Sequence, residues 1–103
     1  MEPGYIYMWE FHVKESMTSA FEEAYGPGGD WVQLFRKDKH YIKTELHKDI
    51  NNKGRYITID YWMSQEACEN FKEKYKEKYS KIDQRYETLT LKEISLGSFN
   101  IVI

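Results

Sequence analysis

Hydrophobic positions change their spacing several times along the chain, and each change marks a new element. In residues 5–14 the large apolar side chains fall on alternate positions, which is typical of a β-strand. One face of this strand holds Tyr5, Tyr7, Trp9, Phe11 and Val13. The other face also starts with apolar residues, so we expect the strand to be covered on both sides.

Two helices are predicted where apolar residues recur every third or fourth position. The first follows Ser16, a residue type that caps helices, and it ends at residues 26–29, where Gly and Pro stop a helix. The second follows Ser64. Its apolar stripe consists of Ala67, Phe71, Tyr75, Tyr79, Ile82 and Tyr86. A short extra helix is predicted over Asp30 to Arg36, capped by Asp30, with Trp31, Leu34 and Phe35 facing inward.

Three further strands are predicted over residues 41–48, 55–63 and 91–103. The polar segment 49–54 connects the first two as a hairpin, so those strands should pair antiparallel. Gly97 marks a bulge or bend in the last strand. The order strand, helix, strand, strand, helix, strand predicts an α+β chain with the split βαβ, ferredoxin-like fold.

Composition limits the classes of partner. The 103 residues are the length of one domain, 1–103, and a net charge of −2 argues against nucleic acid as the main partner. No apolar run is long enough to span a membrane. The single cysteine cannot form an intramolecular disulfide, which favours a reducing, cytoplasmic location.

The passage from Arg55 to Phe71 contains the best candidate pocket wall. Asp60 and Trp62 lie two residues apart at the end of a predicted strand, so they share one face. Trp62 would stack against a flat ligand, or it is a buried residue that holds the helix on the sheet. Asp60, if partly buried, would act as a base, or it is a structural acid paired with Arg55 or Arg36.

Other residues complete the candidate site. His12 titrates near neutrality and could accept a proton, although a solvated histidine at a strand end is the alternative. Tyr41 offers a phenolic hydroxyl, and Trp31 an aromatic face, to a small aromatic ligand. The three histidines lack the spacing of metal ligands, so no metal site is predicted, and Cys68 is expected to be a buried filler.

The sequence resembles the antibiotic biosynthesis monooxygenase (ABM) family. Three passages carry the resemblance: residues 59–64 followed by Ala67 and Phe71, residues 12–14 leading into Phe21, and residues 41–46. The resemblance implies a dimeric α+β barrel, a homodimer in which two four-stranded sheets face one another. It also implies oxygenation of phenols or quinols without metal, flavin or haem.

One branch of the family degrades haem, using an Asn on the first strand, a Trp ending the third and a His on the second helix. Trp62 matches the Trp, but residues 5–14 contain no Asn and residues 65–79 no His. Haem degradation is therefore not expected. The resemblance favours a cofactor-independent monooxygenase with Trp62, Tyr41 and Trp31 as ligand contacts and His12 or Asp60 as base. The alternatives are a non-catalytic ligand-binding or stress-related barrel, and an isomerase or lyase on the same scaffold.

Overall fold

The computed structural model describes residues 3–102, in which four antiparallel strands form one sheet in the order β2-β3-β1-β4. The strands are β1 (Tyr5–Val13), β2 (Tyr41–Lys48), β3 (Arg55–Trp62) and β4 (Thr90–Asn100). The helices are α1 (Thr18–Tyr25), α2 (Asp30–Phe35), α3 (Gln65–Lys74) and α4 (Lys76–Tyr86). This architecture confirms the predicted α+β, ferredoxin-like fold. Ile103, the end of the predicted last strand, lies outside the described residues.

The helices cover one face of the sheet because the large aromatic residues alternate along the two central strands. Tyr5, Tyr7, Phe11 and Val13 of β1 are buried under the helices, as are Tyr56, Thr58, Asp60 and Trp62 of β3. The opposite face of β1 is only half-buried. The expectation that both faces are covered therefore fails within a single chain, since all the helices pack on the same side.

Strand register brings distant residues into one row. Asp60 of β3 stands opposite Tyr7 of β1 on one side and opposite Thr44 of β2 on the other. Because side chains on directly paired residues project from the same face, these three side chains all point toward the helices. The row lies near the middle of the sheet.

The predicted second helix is interrupted at Tyr75, which has φ −110° and ψ 21°. The chain therefore forms two helices, α3 and α4, where the sequence predicted one. Ser64 caps α3 as expected, since its hydroxyl accepts the backbone N–H of Ala67 at 3.1 Å. The apolar stripe does not reveal the break because Tyr75, Tyr79, Ile82 and Tyr86 still pack on the core.

Two predicted helix caps are wrong. Ser16 lies within a short 3-10 turn, Glu15–Met17, and no side chain caps α1. Asp30 is the first residue of α2, whose cap position is Gly29. The Asp30 carboxylate is engaged elsewhere, because it accepts hydrogen bonds from Arg85 at 2.8 Å and from the Tyr86 hydroxyl. It thus ties the start of α2 to the end of α4.

Gly97 introduces the predicted bulge in β4. The pairing of β1 with β4 shifts register between Met8 and Trp9, which stand opposite Gly97 and Ser95. Gly97 has φ +110°, a conformation that glycine adopts readily and other residues rarely do. The bulge leaves Leu96 as an extra residue in β4.

Candidate functional site

A cavity of about 70 Å³ lies between the helix-covered face of the sheet and the helices. Aromatic side chains form most of its wall, and they come from β1, α1, α2 and α4. These include Trp9, Phe11, Tyr25, Trp31, Phe35 and Tyr79. A mostly aromatic cavity with a few polar groups is the usual form of a small-molecule site.

Asp60 supplies the buried ionisable group of this cavity. Only 5% of its surface is exposed, and Thr44 Oγ1 donates a hydrogen bond to its Oδ1 at 2.5 Å. Tyr41 Oη lies 2.7 Å from the same Thr44 oxygen. Since the one hydroxyl proton of Thr44 goes to Asp60, Tyr41 must be the donor to Thr44. The three residues form a directed chain that ends at the carboxylate.

Burial raises the pKa of the Asp60 carboxyl to about 6. Three neighbours lower this pKa in part: the hydroxyl of Thr44, the hydroxyl of Tyr7 and the charge of Lys72. A carboxyl that titrates near pH 6 can hold and release a proton under physiological conditions. This is the property required of a general base.

Asp60 is not part of an arginine ion pair. Arg55 pairs instead with Glu10 at 2.8 Å and with Asp49 at 2.9 Å, on the opposite side of the sheet. Within residues 3–102, no ion pair joins Asp60 to Arg55 or to Arg36. The predicted pairing is therefore not formed, and for Arg55 the reason is that alternate residues of β3 point to opposite faces.

Two further polar groups in the cavity wall are unused. The Tyr7 hydroxyl and the Trp31 Nε1–H are buried and have no hydrogen-bond partner of ordinary geometry among the described residues. Tyr7 still lies close enough to Asp60 for that carboxylate to add to the effect of burial in raising the Tyr7 pKa. Buried polar groups normally find partners, so these two are available to a ligand.

Trp62 is fully buried and does not line the cavity. Its ring lies 5.1 Å from that of Phe71, 5.4 Å from Tyr41 and 5.8 Å from Phe35, measured between centroids. These contacts favour the packing interpretation, in which Trp62 joins α3 and α2 to the sheet. Of the predicted aromatic contacts, Trp31 lines the cavity, whereas Tyr41 reaches it only through Thr44.

His12 lies on the opposite face of the sheet from Asp60. Its Nε2 is 2.7 Å from the Glu10 carboxylate, and Glu10 also accepts from Arg55. The structure thus separates the two predicted bases, since residues 10 and 12 of β1 project away from the helices and residues 7, 9 and 11 toward them. His12 has no route to the cavity from this face.

The remaining candidate residues are the possible metal ligands and Cys68. Among residues 3–102, no group of three or more His, Cys, Asp or Glu side chains is placed to hold a metal ion. Cys68 is buried, and burial raises the pKa of its thiol to about 11, as fits a packing residue. None of the helices in that range is long and apolar enough to cross a membrane.

Thr44, Tyr7 and Tyr79 are site residues that sequence reasoning missed. Thr44 and Tyr7 become neighbours of Asp60 only through strand register. Their signal in the sequence was alternation, which placed Tyr7 on one face with Tyr5 and Phe11 but gave no reason to pair it with Asp60. Tyr79 was assigned to a core stripe.

Comparison with family models decides the assignment. The model described as antibiotic biosynthesis monooxygenase matches residues 4–75, well over half of the chain. The chain belongs to the ABM family. The resemblance seen in the Trp62 passage is therefore confirmed. A search of curated proteins finds no significant match to this ABM-family chain.

Solved structures share the fold of this ABM-family protein at low sequence identity. SnoaB, a cofactor-independent oxygenase from Streptomyces nogalater, aligns with a TM-score of 0.71 and 12% identity, over 99% of this chain and 96% of that one. A dimeric ferredoxin-like protein from an uncultured marine organism aligns with a TM-score of 0.76 and 12% identity, over 99% of this chain and 90% of that one. PA3566 from Pseudomonas aeruginosa aligns with a TM-score of 0.69 and 14% identity, over 100% of this chain and 98% of that one.

Proposed function

We propose that this protein is a monooxygenase that oxidises a small phenol- or quinol-type substrate without a bound cofactor. The observation that carries the proposal is a buried carboxyl, Asp60, with a pKa of about 6 in the wall of an aromatic cavity. Membership in the ABM family and the likeness to SnoaB, a cofactor-independent oxygenase, support it.

Asp60 would act as the base. It removes the proton of the substrate hydroxyl, and the resulting electron-rich anion transfers an electron to O2 and then combines with the reduced oxygen as a peroxide. Return of the proton from Asp60 and loss of water leave one oxygen atom in the product. A quinol plus O2 thus gives a hydroxyquinone plus water, and the substrate supplies all four electrons.

The cavity limits the size of the substrate. A volume of about 70 Å³ encloses no more than one aromatic ring, so substituents on that ring must extend toward the opening. We therefore expect monocyclic rather than polycyclic substrates. Trp31, Tyr25 and Phe35 would contact the ring, and the Tyr7 hydroxyl and Trp31 Nε1–H would donate to its oxygen atoms.

A homodimer is also part of the proposal. The face of the sheet that the helices leave open carries half-buried apolar residues, including Ile6, Met8, Ile57, Ile59 and Ile94. Phe99 on the same face is 47% exposed. A second copy covering this face would bury both apolar surfaces, and a structural neighbour is described as dimeric.

The free thiol of Cys68 fits a reducing, cytoplasmic location.

Oxygen uptake tests the proposal directly. The purified protein should consume O2 in the presence of at least one compound from a panel of monocyclic quinols, in a 1:1 ratio to the hydroxyquinone formed. Asp60→Asn should lower kcat/KM at least 100-fold, as loss of a general base does. Glu66→Gln is the matched control, since it removes an exposed carboxylate outside the cavity, and should retain activity within twofold.

Two results would contradict the proposal. If no quinol in the panel supports oxygen consumption although several bind, the non-catalytic ligand-binding alternative is the better description. If Asp60→Asn retains wild-type activity, the base lies elsewhere.

A further inference from the structure

The cavity is negatively charged as well as aromatic. Besides Asp60, its wall includes Asp83 of α4 and Glu93 of β4, and none of its twelve lining residues is Lys, Arg or His. Asp83 and Glu93 are exposed and therefore lie toward the opening, whereas Asp60 lies at the buried end. Neither of the two makes an ion pair within residues 3–102.

Strand register places Glu93 on the cavity side of the sheet. Glu93 pairs with Phe11, one of the buried aromatic residues of β1, so both project toward the helices. Partial burial, and then the nearby charge of Asp83, raise the pKa of Glu93. The pKa of the Tyr79 phenol is raised by burial first, then by Asp60 and Asp83. The three carboxylates thus act on one shared space.

Two cations close to these residues, Lys72 and Arg85, lie outside the cavity wall. Lys72 reduces the pKa of Asp60, but its Nζ lies 4.3 Å from the centre of the Tyr7 ring and it does not line the cavity. Arg85, two residues after Asp83, is paired with Asp30 at 2.8 Å. A ligand in the cavity therefore meets a wall with three acidic side chains and no cationic one.

Aromatic rings strengthen the preference for a cation. The rings of Trp31 and Tyr79 meet edge to face with centroids 4.8 Å apart in the cavity wall, next to that of Tyr25. Aromatic faces attract ammonium groups, and the effect adds to that of carboxylates. The Tyr7 hydroxyl and the Trp31 Nε1–H, both buried in the cavity wall without a hydrogen-bond partner among the described residues, can donate to an oxygen atom of the ligand.

We propose that the ligand is a monocyclic phenol that carries an ammonium group on a short side chain. Its hydroxyl reaches Asp60, its ring lies among Trp31, Tyr25 and Tyr79, and its ammonium lies between Asp83 and Glu93. This inference rests on the proposed function for the location of the substrate. It also accounts for a difficulty in that function, because a phenolate near the carboxylates of Asp83 and Glu93, once Asp60 has taken up the proton, is disfavoured unless the same molecule supplies a positive charge.

Calorimetric titration with three probes that share the 4-ethylphenol skeleton tests the inference. Tyramine is the cation, 4-ethylphenol the neutral analogue and 3-(4-hydroxyphenyl)propionate the anion. We expect tyramine to bind about tenfold more tightly than 4-ethylphenol, which is the value of one ion pair of this kind, and the anion to bind most weakly. The Asp83→Asn/Glu93→Gln double variant should reduce the advantage of tyramine to about twofold or less.

A double variant with the same loss of charge elsewhere is the control. Glu15→Gln/Glu66→Gln removes two exposed carboxylates outside the cavity and should leave the tenfold preference intact. The inference is overturned if 4-ethylphenol binds as tightly as tyramine, if no probe binds, or if both double variants weaken tyramine equally. Failure of the oxygenase proposal gives a different result, in which the order of binding is kept but no amine-bearing quinol supports oxygen uptake.

Discussion

The hydroxyl of Thr44 donates a hydrogen bond to the carboxylate of Asp60 over 2.5 Å, between the adjacent strands β2 and β3. This contact stabilises the charged form of a carboxyl that burial would otherwise keep protonated. Tyr41 completes the chain by donating to Thr44. The pKa of Asp60 therefore depends on Tyr41, which does not line the cavity, as well as on Thr44, which does.

Replacing Thr44 should move the pH dependence of catalysis. In the wild type, kcat/KM should rise with pH through about 6 as Asp60 loses its proton. Thr44→Val removes the donor at nearly constant volume, so the pKa of Asp60 and the midpoint of this limb should both increase. Thr44→Ser, which keeps the hydroxyl, should leave the midpoint unchanged. If kcat/KM rises with the same midpoint in all three proteins, that midpoint does not report the ionisation of Asp60.

Asp60 should lower stability above pH 6. Its pKa is higher in the folded chain than the ordinary 3.8, so the folded state binds the proton more tightly. The stability that the protonated Asp60 carboxyl contributes to the folded state is fully present below about pH 4 and is lost as pH rises through about 6. At roughly 1.4 kcal/mol per unit of pKa, the difference amounts to about 3 kcal/mol.

Asp60→Asn tests this sign, since the amide keeps an oxygen that accepts from Thr44 but carries no charge. Measured by chemical denaturation, its free energy of unfolding relative to wild type should increase between about pH 4 and pH 7.5 by up to about 3 kcal/mol. Gain of stability with loss of activity is the pattern of a functional buried charge. A constant difference across this pH range would show that Asp60 titrates normally.

Asp49 should show the opposite dependence. In the turn between β2 and β3 its carboxylate accepts from the side-chain amide of Asn52, from the backbone of Asn51 and Asn52 and from Arg55, and these hydrogen bonds, that of the Asn52 amide first, lower its pKa. The stability that the ionised Asp49 carboxylate contributes is present above the ordinary Asp pKa and is lost as pH falls through the lowered pKa of Asp49 in the folded chain. Asp49→Asn should therefore be less stable than wild type at pH 7, with a smaller difference near pH 2, in the same denaturation experiment.

Trp62 and Trp31 should separate stability from binding. Trp62→Phe leaves a space among Phe35, Tyr41 and Phe71 and should cost about 1–2 kcal/mol of stability with no change in ligand Kd. Trp31→Phe removes the Nε1–H that lines the cavity and should weaken binding of phenols several-fold. Thermal unfolding and calorimetry measure the two effects. If Trp62→Phe weakened binding more than Trp31→Phe, the assignment of the cavity wall would fail.

Much of the fold was predictable because its signals are local. Alternation in residues 5–14 grouped Tyr5, Tyr7, Phe11 and Val13 on one face, alternation in residues 55–63 grouped Asp60 with Trp62, and Ser64 and Gly97 marked a helix start and a bulge. The failures concern choices between partners. Asp30 is a good helix cap by residue type, but Arg85 and Tyr86 hold its carboxylate, and these residues are 55 and 56 positions away in the chain.

The sequence by itself determined the order of the elements, the family and the shared face of Asp60 and Trp62, because the period of side chains along a strand or helix is fixed by backbone geometry. Only the tertiary structure decided which of the two borders a cavity. Trp62 is enclosed by α2 and α3, whereas Asp60 meets a space under α4. Only strand pairing set Thr44 beside Asp60 and His12 on the far side, since contacts between strands depend on register and not on sequence distance.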